Sequence, residues 1–220
     1  MIGFEPSLPH GGPDALGRSM KVGLFGGAFD PPHKMHVQLA QTATEQLGLD
    51  VLHIVPTGLA WHKTGELTAP VHRLQMTRLA FAGVVSEARL TGCDVLIDER
   101  ELNRPEPSYT INTLHELQAQ YGGAEFFVVM GEDQAQKFQT WKNHDEIRQL
   151  ARLVVAKRAG VAHQWHNEAL GQFIALRCGP FELSATQVRE AIGRGQDVSS
   201  LIPDSVLGYI QQQGLYHFTS

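Results

Sequence analysis

Two histidines three residues apart, His33 and His36, stand where an apolar run and a glycine turn give way to helical spacing. Residues at i and i+3 share one face of a helix. A helix N-terminus offers unpaired N–H groups and a positive dipole end to an anion. Imidazoles placed there donate to phosphate oxygens and offset negative charge that grows in a transition state. Just upstream, Gly26-Gly27 lack the Cβ atoms that would hold a ligand away from the backbone. Near the other end, Ser184 and Thr186 put hydroxyls at a helix start, and Arg189, one turn on, can fork onto phosphate oxygens. Plainer readings stand beside these: capping or surface histidines, and a capped surface helix with an exposed arginine. A zinc pair is a third reading of the histidines. Their His-x-x-His spacing lacks the glutamate of the metalloprotease helix, and no third ligand is evident.

Further candidates flank these two. Asp133 follows a strongly apolar run and could accept from a ribose diol, or cap a helix. Ser108, Tyr109 and Thr110 lie at a helix start whose N–H groups could hold a small carboxylate. Trp141 offers a flat face to an aromatic ligand, or simply packs. His62 and Lys63 sit in a loop and could fold over a phosphate, or be solvated. Two familiar phosphate motifs are missing, Gly-x-x-x-x-Gly-Lys-[Ser/Thr] and Gly-x-Gly-x-x-Gly, which argues against a P-loop NTPase and against an intact dinucleotide held as hydride carrier.

The elements that must position these residues alternate. Strands are expected at Val22–Phe25, Val51–Val55, Asp94–Ile97, Glu125–Met130, Leu153–Ala156 and Phe173–Leu176. The spacing predicts helices from Met35 to Leu47, from Pro70 to about Gly83, from Ile111 to Gln120 behind a Thr110 cap, and from about Asn143 to Leu150. Two more follow, Ser184 to Ile192 and Asp204 to Gln213. Residues 57–69 form a loop. Glu125–Met130 is apolar throughout rather than alternating, as a parallel strand covered on both faces should be. The expected fold is therefore α/β, a Rossmann-like open, mostly parallel sheet with helices on both faces. In such sheets ligands lie beyond the C-terminal strand ends, where the polar clusters fall.

The chain has 220 residues, 42% of them hydrophobic, with a formal net charge of -5. That balance argues against a nucleic-acid platform, which is usually basic. Cys93 and Cys178 are too few for a cysteine-rich zinc site or a disulfide framework. They read as reduced thiols in a cytoplasmic protein. No run approaches the ~18 apolar residues of a membrane helix. Residues 1–19 lack a signal-peptide core. They read as a disordered extension or an upstream start, leaving 20–220 as a single domain.

Taken together the motifs carry a resemblance. Gly26-Gly27-Ala28-Phe29-Asp30-Pro31-Pro32-His33-Lys34-Met35-His36 resembles the Gly-Gly-x-Phe-Asp-Pro-x-His-x-x-His motif of the nucleotidyltransferase superfamily. Leu183-Ser184-Ala185-Thr186-Gln187-Val188-Arg189 resembles its Ile-Ser-x-Thr-x-x-Arg motif. Within that superfamily, His62-Lys63, Pro107-Ser108-Tyr109-Thr110, Gly131-Glu132-Asp133, Phe138 with Trp141 and the stretch from Ile202-Pro203 to Gly214-Leu215-Tyr216 resemble bacterial nicotinate-nucleotide adenylyltransferases. Met35 stands where glycine is frequent. The resemblance implies adenylyl transfer from ATP to nicotinate mononucleotide in NAD biosynthesis, with Mg²⁺ accompanying ATP. It implies that His33, His36 and Arg189 are catalytic, and that Gly26, Gly27, Phe29, Gly131, Asp133, Ser184 and Thr186 join them around ATP. His62, Lys63, Ser108, Tyr109, Thr110 and Trp141 would hold the mononucleotide. The alternatives are a sibling enzyme acting on nicotinamide mononucleotide, phosphopantetheine or a cytidylyl acceptor, and a non-catalytic nucleotide or zinc-binding module built on His33, His36 and His62. Neither a nucleic-acid nor a membrane partner is expected, and homo-oligomerisation is left open.

Overall fold

The computed structural model describes residues 17–59, 67–158, 170–179 and 183–216. Six strands form one sheet: β1 (Lys21–Gly27), β2 (Val51–Pro56), β3 (Asp94–Ile97), β4 (Glu125–Gly131), β5 (Ala151–Arg158) and β6 (Phe173–Cys178). Their order is β3-β2-β1-β4-β5-β6, and every neighbouring pair is parallel. The expected sheet is thus found, and it is parallel throughout.

The helices are α1 (Lys34–Leu47), α2 (Pro70–Leu90), α3 (Thr110–Gln120), α4 (Glu132–Gln136), α5 (His144–Leu150), α6 (Ala185–Gly193) and α7 (Asp204–Gln213). They cover both faces, and strand residues sort between the faces with period two. Phe127 and Val129 join Leu39 and Ala43 of α1, Met76, Phe81 and Val84 of α2, and Ile210 of α7 in one core. Phe126, Val128 and Met130 join Leu114 and Leu117 of α3 and Ile147 of α5 in the other. Covering both faces is why β4 reads as an unbroken apolar run.

Three expectations about the elements need correction. α2 does not stop near Gly83. It continues to Leu90, because Gly83 sits on the solvent side while Val84 and Ala88 carry the buried face onward. Thr110 is the first residue of α3 rather than its cap. Tyr109 occupies the cap position and makes no side-chain capping bond. The short α4, with Glu132 and Asp133 in its first turn, and the 3₁₀ turn Phe138–Thr140 lack the apolar periodicity that would have announced them.

The chain lays down β1, β2 and β3 in one direction, then crosses to β4 on the other side of β1. The strand order reverses there, so the C-terminal ends of β1 and β4 diverge and leave a crevice between them. Among the described residues no helix is long and apolar enough to cross a membrane. Residues 1–16, most of the expected extension, and His62 and Lys63 lie outside the described residues.

Candidate active site

A cleft of about 650 Å³ opens at that crevice. One wall carries Gly26, Gly27, Ala28, Phe29, His33, Met35 and His36. The opposite side carries Gly131, Glu132, Asp133 and Gln134, and the rim is completed by Ser184, Thr186 and Arg189 at one end. Ser108, Tyr109, Thr110, Trp141 and Lys142 also line it. Every predicted site residue within the described segments therefore borders a single cavity.

The turn after β1 is held tightly. Phe29 has a left-handed backbone, φ 47°, and the Asp30–Pro31 peptide is cis. The Phe29 ring is 1% exposed and meets Phe25, Phe81 and His36 edge-on, with centroids 5.6, 5.5 and 5.1 Å away. Phe29 was expected among the ATP contacts. Its ring is instead a core group that backs His36, and a Cβ on Gly27 would lie 2.8 Å from that ring. Gly26 has nothing within 4 Å of its missing Cβ, so the cleft reaches its backbone directly.

His33 caps α1 and His36 occupies its third helical position. The two rings stack, with centroids 3.6 Å apart and planes 22° apart. The His33 N–H donates to His36 Nδ1 at 3.1 Å. An accepting Nδ1 puts the ring N–H of His36 on Nε2. His33 is 4% exposed, and its Nδ1 lacks a partner of hydrogen-bond geometry among the described residues. Burial brings its pKa down to about 4, against a small opposing main-chain hydrogen bond, so the ring is neutral near pH 7. One expected donor is used elsewhere: the Lys34 N–H at the start of α1 donates to the Leu201 carbonyl at 3.0 Å.

The second cluster is built on α6. Ser184 caps it in a reciprocal box: its Oγ accepts from the Gln187 N–H at 3.2 Å, and its own N–H donates to the Gln187 side chain at 2.8 Å. Arg189 Nη2 donates to Thr186 Oγ1 at 3.2 Å, and Nη1 donates to the Asp30 carbonyl at 2.7 Å. The last bond spans 159 residues of sequence. It joins the two motifs across the rim of one cavity.

At the other end Ser108 is buried and committed within the protein. Its hydroxyl accepts from the Gly58 N–H at 3.0 Å. Thr113 Oγ1 donates to Glu101 at 2.7 Å. Burial pushes the Glu101 carboxyl up against that bond. The Ser108 N–H, at the helix start expected to hold a small carboxylate, donates to the Leu59 carbonyl at 2.9 Å, so Ser108 braces the loop beside the cleft. Lys142 Nζ sits 4.3 Å from the centre of the Tyr109 ring, a cation–π contact, and the Trp141 ring leans on Phe138 with centroids 5.5 Å apart. Glu101 and Lys142 were not anticipated. Neither carries a spacing signal, since each reaches the cleft through a loop. Among the described residues no three His, Cys, Asp or Glu side chains come together to hold a metal.

A parallel α/β sheet, a switch-point cleft and two clusters of phosphate-binding character together define a nucleotide-handling site. Residues 24–191 match the cytidylyltransferase-like family. A relative from Albidiferax ferrireducens, named "Probable nicotinate-nucleotide adenylyltransferase", is 41% identical over 89% of this chain and 98% of its own length. One of the same name from Chromobacterium violaceum is 35% identical over the same shares. Among solved structures, the Plasmodium falciparum nicotinic acid mononucleotide adenylyltransferase complexed with NaAD superposes with a TM-score of 0.71 at 17% identity, over 90% of this chain and 97% of that one; it shares the fold. The chain belongs to the cytidylyltransferase-like family, among its nicotinate-nucleotide adenylyltransferases.

Proposed function

We propose that the cleft transfers the adenylyl group of ATP to nicotinate mononucleotide, giving deamido-NAD and pyrophosphate. The observation that carries this reading is the bond from Arg189 to the Asp30 carbonyl. It draws the α6 hydroxyls and guanidinium to the same rim as the stacked histidines. The names of the relatives supply the acceptor.

A phosphate oxygen of the mononucleotide attacks the α-phosphorus of ATP. The new P–O bond forms as the bond to the bridging oxygen of the departing pyrophosphate breaks. No covalent intermediate on the protein is required, so its work is positioning and charge stabilisation. His33 and His36 are assigned to the phosphate oxygens around the reacting phosphorus. A neutral His33 acts there as a hydrogen-bond donor rather than as a fixed charge. Arg189, with Thr186 and the Ser184-capped start of α6, holds the departing pyrophosphate. The open backbone at Gly26 admits the nucleotide, with Gly27 beside it leaving room for the Phe29 ring, and Asp133 accepts from its ribose. Tyr109, Thr110 and Trp141 enclose the pyridine ring, with Ser108 setting their loop, and His62 and Lys63, outside the described residues, are assigned to the mononucleotide phosphate.

Among the described residues the carboxylates bordering the cleft are Glu101, Glu132 and Asp133, and these do not form a cage. That donor set fits Mg²⁺ held mainly by phosphate oxygens and water, where it would neutralise phosphate charge. The test is pyrophosphate release from ATP with nicotinate mononucleotide, nicotinamide mononucleotide and phosphopantetheine compared as acceptors. The acid mononucleotide should give the highest kcat/KM, and equal use of all three would overturn the acceptor assignment.

A further inference from the structure

Behind the cleft lies a buried cation that does not line it but bonds two residues that do, Ala28 and Thr57. Arg73, on the first turn of α2, is 1% exposed and is the largest fully buried side chain of the described residues. Its Nε donates to the Thr68 carbonyl at 2.9 Å. Its Nη1 donates to the Ala28 carbonyl at 3.0 Å and to the Thr57 carbonyl at 2.7 Å. These carbonyls belong to three separate segments: the turn after β1, the exit from β2 and the approach to α2. Burying a guanidinium is costly unless it is paired and bonded. Burial does lower the Arg73 pKa, and the nearby Asp30 carboxylate opposes that change.

Asp30 is buried as well. Its Oδ1 accepts from the Tyr216 hydroxyl at 2.7 Å and its Oδ2 from the Thr68 N–H at 3.2 Å, while its carbonyl accepts from Arg189. A single residue thus connects the phosphate turn, the lead-in to α2, the end of the chain beyond α7 and the α6 guanidinium. Apolar packing could fill the same volume without fixing the direction of three main-chain carbonyls. The Arg73 fork fixes them, and the Asp30 carboxylate fixes the Tyr216 hydroxyl and the Thr68 N–H.

We propose that Arg73 and Tyr216 are positioning residues for the reaction: through the Ala28 and Asp30 main chain they set where the phosphate turn and Arg189 meet ATP. This rests on the reading of the cleft as an adenylyl-transfer site, but its consequence falls on the ATP half alone. The test compares the parent with Tyr216→Phe, which removes one hydroxyl and keeps the ring, and with Arg73→Lys, which keeps the charge but loses the fork. ATP affinity is measured by calorimetry, both KM values by pyrophosphate release, and folding by thermal melting.

Expected is a loss of ATP affinity, and a matching rise in KM for ATP, of about tenfold in each variant. The acceptor KM should stay within twofold of the parent (~2-fold being ordinary scatter for a site left intact). Arg73→Met should lose more than Arg73→Lys. Parent-like ATP affinity in Tyr216→Phe and Arg73→Lys would overturn the proposal. So would a Tyr216→Phe protein that melts below the assay temperature, because the bonds would then serve the fold and not the site. A parent that binds ATP but ignores nicotinate mononucleotide would refute the acceptor assignment, while the ATP affinities would still decide the positioning role.

Discussion

His33 and His36 divide their work between the fold and the reaction. His36 Nδ1 is occupied by the His33 N–H, which orients the ring and leaves Nε2 as its donor. Replacing such a donor typically costs ~3 kcal/mol of barrier. His36→Ala should therefore lose kcat by at least about a hundredfold and still show the parent circular dichroism; near-parent turnover would remove His36 from the catalytic assignment. His33 makes a second prediction through acid titration. Its folded pKa is about 4 against an ordinary 6.5, so between those values the unfolded chain holds a proton that the folded chain does not. Stability must fall as pH drops from about 6.5 towards 4, by roughly 3 kcal/mol in total. His33→Asn should flatten that slope in urea titrations; an unchanged slope would assign the acid sensitivity elsewhere. At this scale side-chain type and spacing were enough to single out His33, His36 and Arg189, which the fold brings to one cleft. The sequence was silent on Arg73 and Glu101, whose partners are main-chain carbonyls of three segments and a hydroxyl of α3. It did not show that the Phe29 ring packs in the core behind His36 or that Ser108 braces its loop, because a motif position does not say whether a group faces the ligand or backs the loop.

The elements were readable wherever an apolar face repeats, and their ends were not. β1 to β6 all lie where apolar runs predicted them, yet α2 passes straight through Gly83 and α4 arises from an acidic stretch with no apolar period. The connection after β2 shows what the runs cannot. A Cβ on Gly58 would lie 2.0 Å from the Glu101 carbonyl oxygen, so the exit from β2 and the loop before α3 touch backbone to backbone. Ser108 bonds the same two segments, from the Gly58 N–H and from its own N–H to the Leu59 carbonyl at 2.9 Å. Gly58→Ala must push these loops apart. It should cost about 2 kcal/mol or more in stability and raise the acceptor KM more than the KM for ATP, as read in parallel melts and initial rates. Equal effects on both KM values would separate this contact from the pyridine end of the cleft.

Over the whole molecule the two cores differ in what they serve. The one containing Phe29 and Phe81 lies directly under the phosphate turn, and Phe81 contacts Phe29 and Phe25 edge-on. Phe81→Ala should destabilise by about 3–5 kcal/mol, lowering the urea midpoint with little change in slope, and should cost activity through Phe29 and His36 even where the fold survives. A lowered midpoint with parent kcat would show that the turn is held without this core. Acid adds a second global effect. Burial raises the Asp98 carboxyl, but bonds from His53 and from the Arg100 main chain, with the Arg100 charge, outweigh this and hold it at about 2. Its folded pKa is depressed, so its contribution is complete above about 3.8 and disappears as pH falls towards 2.

The strand order also has a consequence for how the chain is made. β1 emerges first and acquires β2 and then β3 on one side only, while its other edge waits for β4, which begins at Glu125. For that interval a central strand stands as an edge strand, with Val22, Leu24 and Phe25 uncovered and a row of unpaired N–H and C=O groups beside them. Nascent chains stopped between Ile97 and Glu125 carry a sticky half-sheet and should need shielding that full-length chains do not. Reversing the strand order about β1, which creates the ligand crevice, also lengthens the time for which β1 stays open during synthesis.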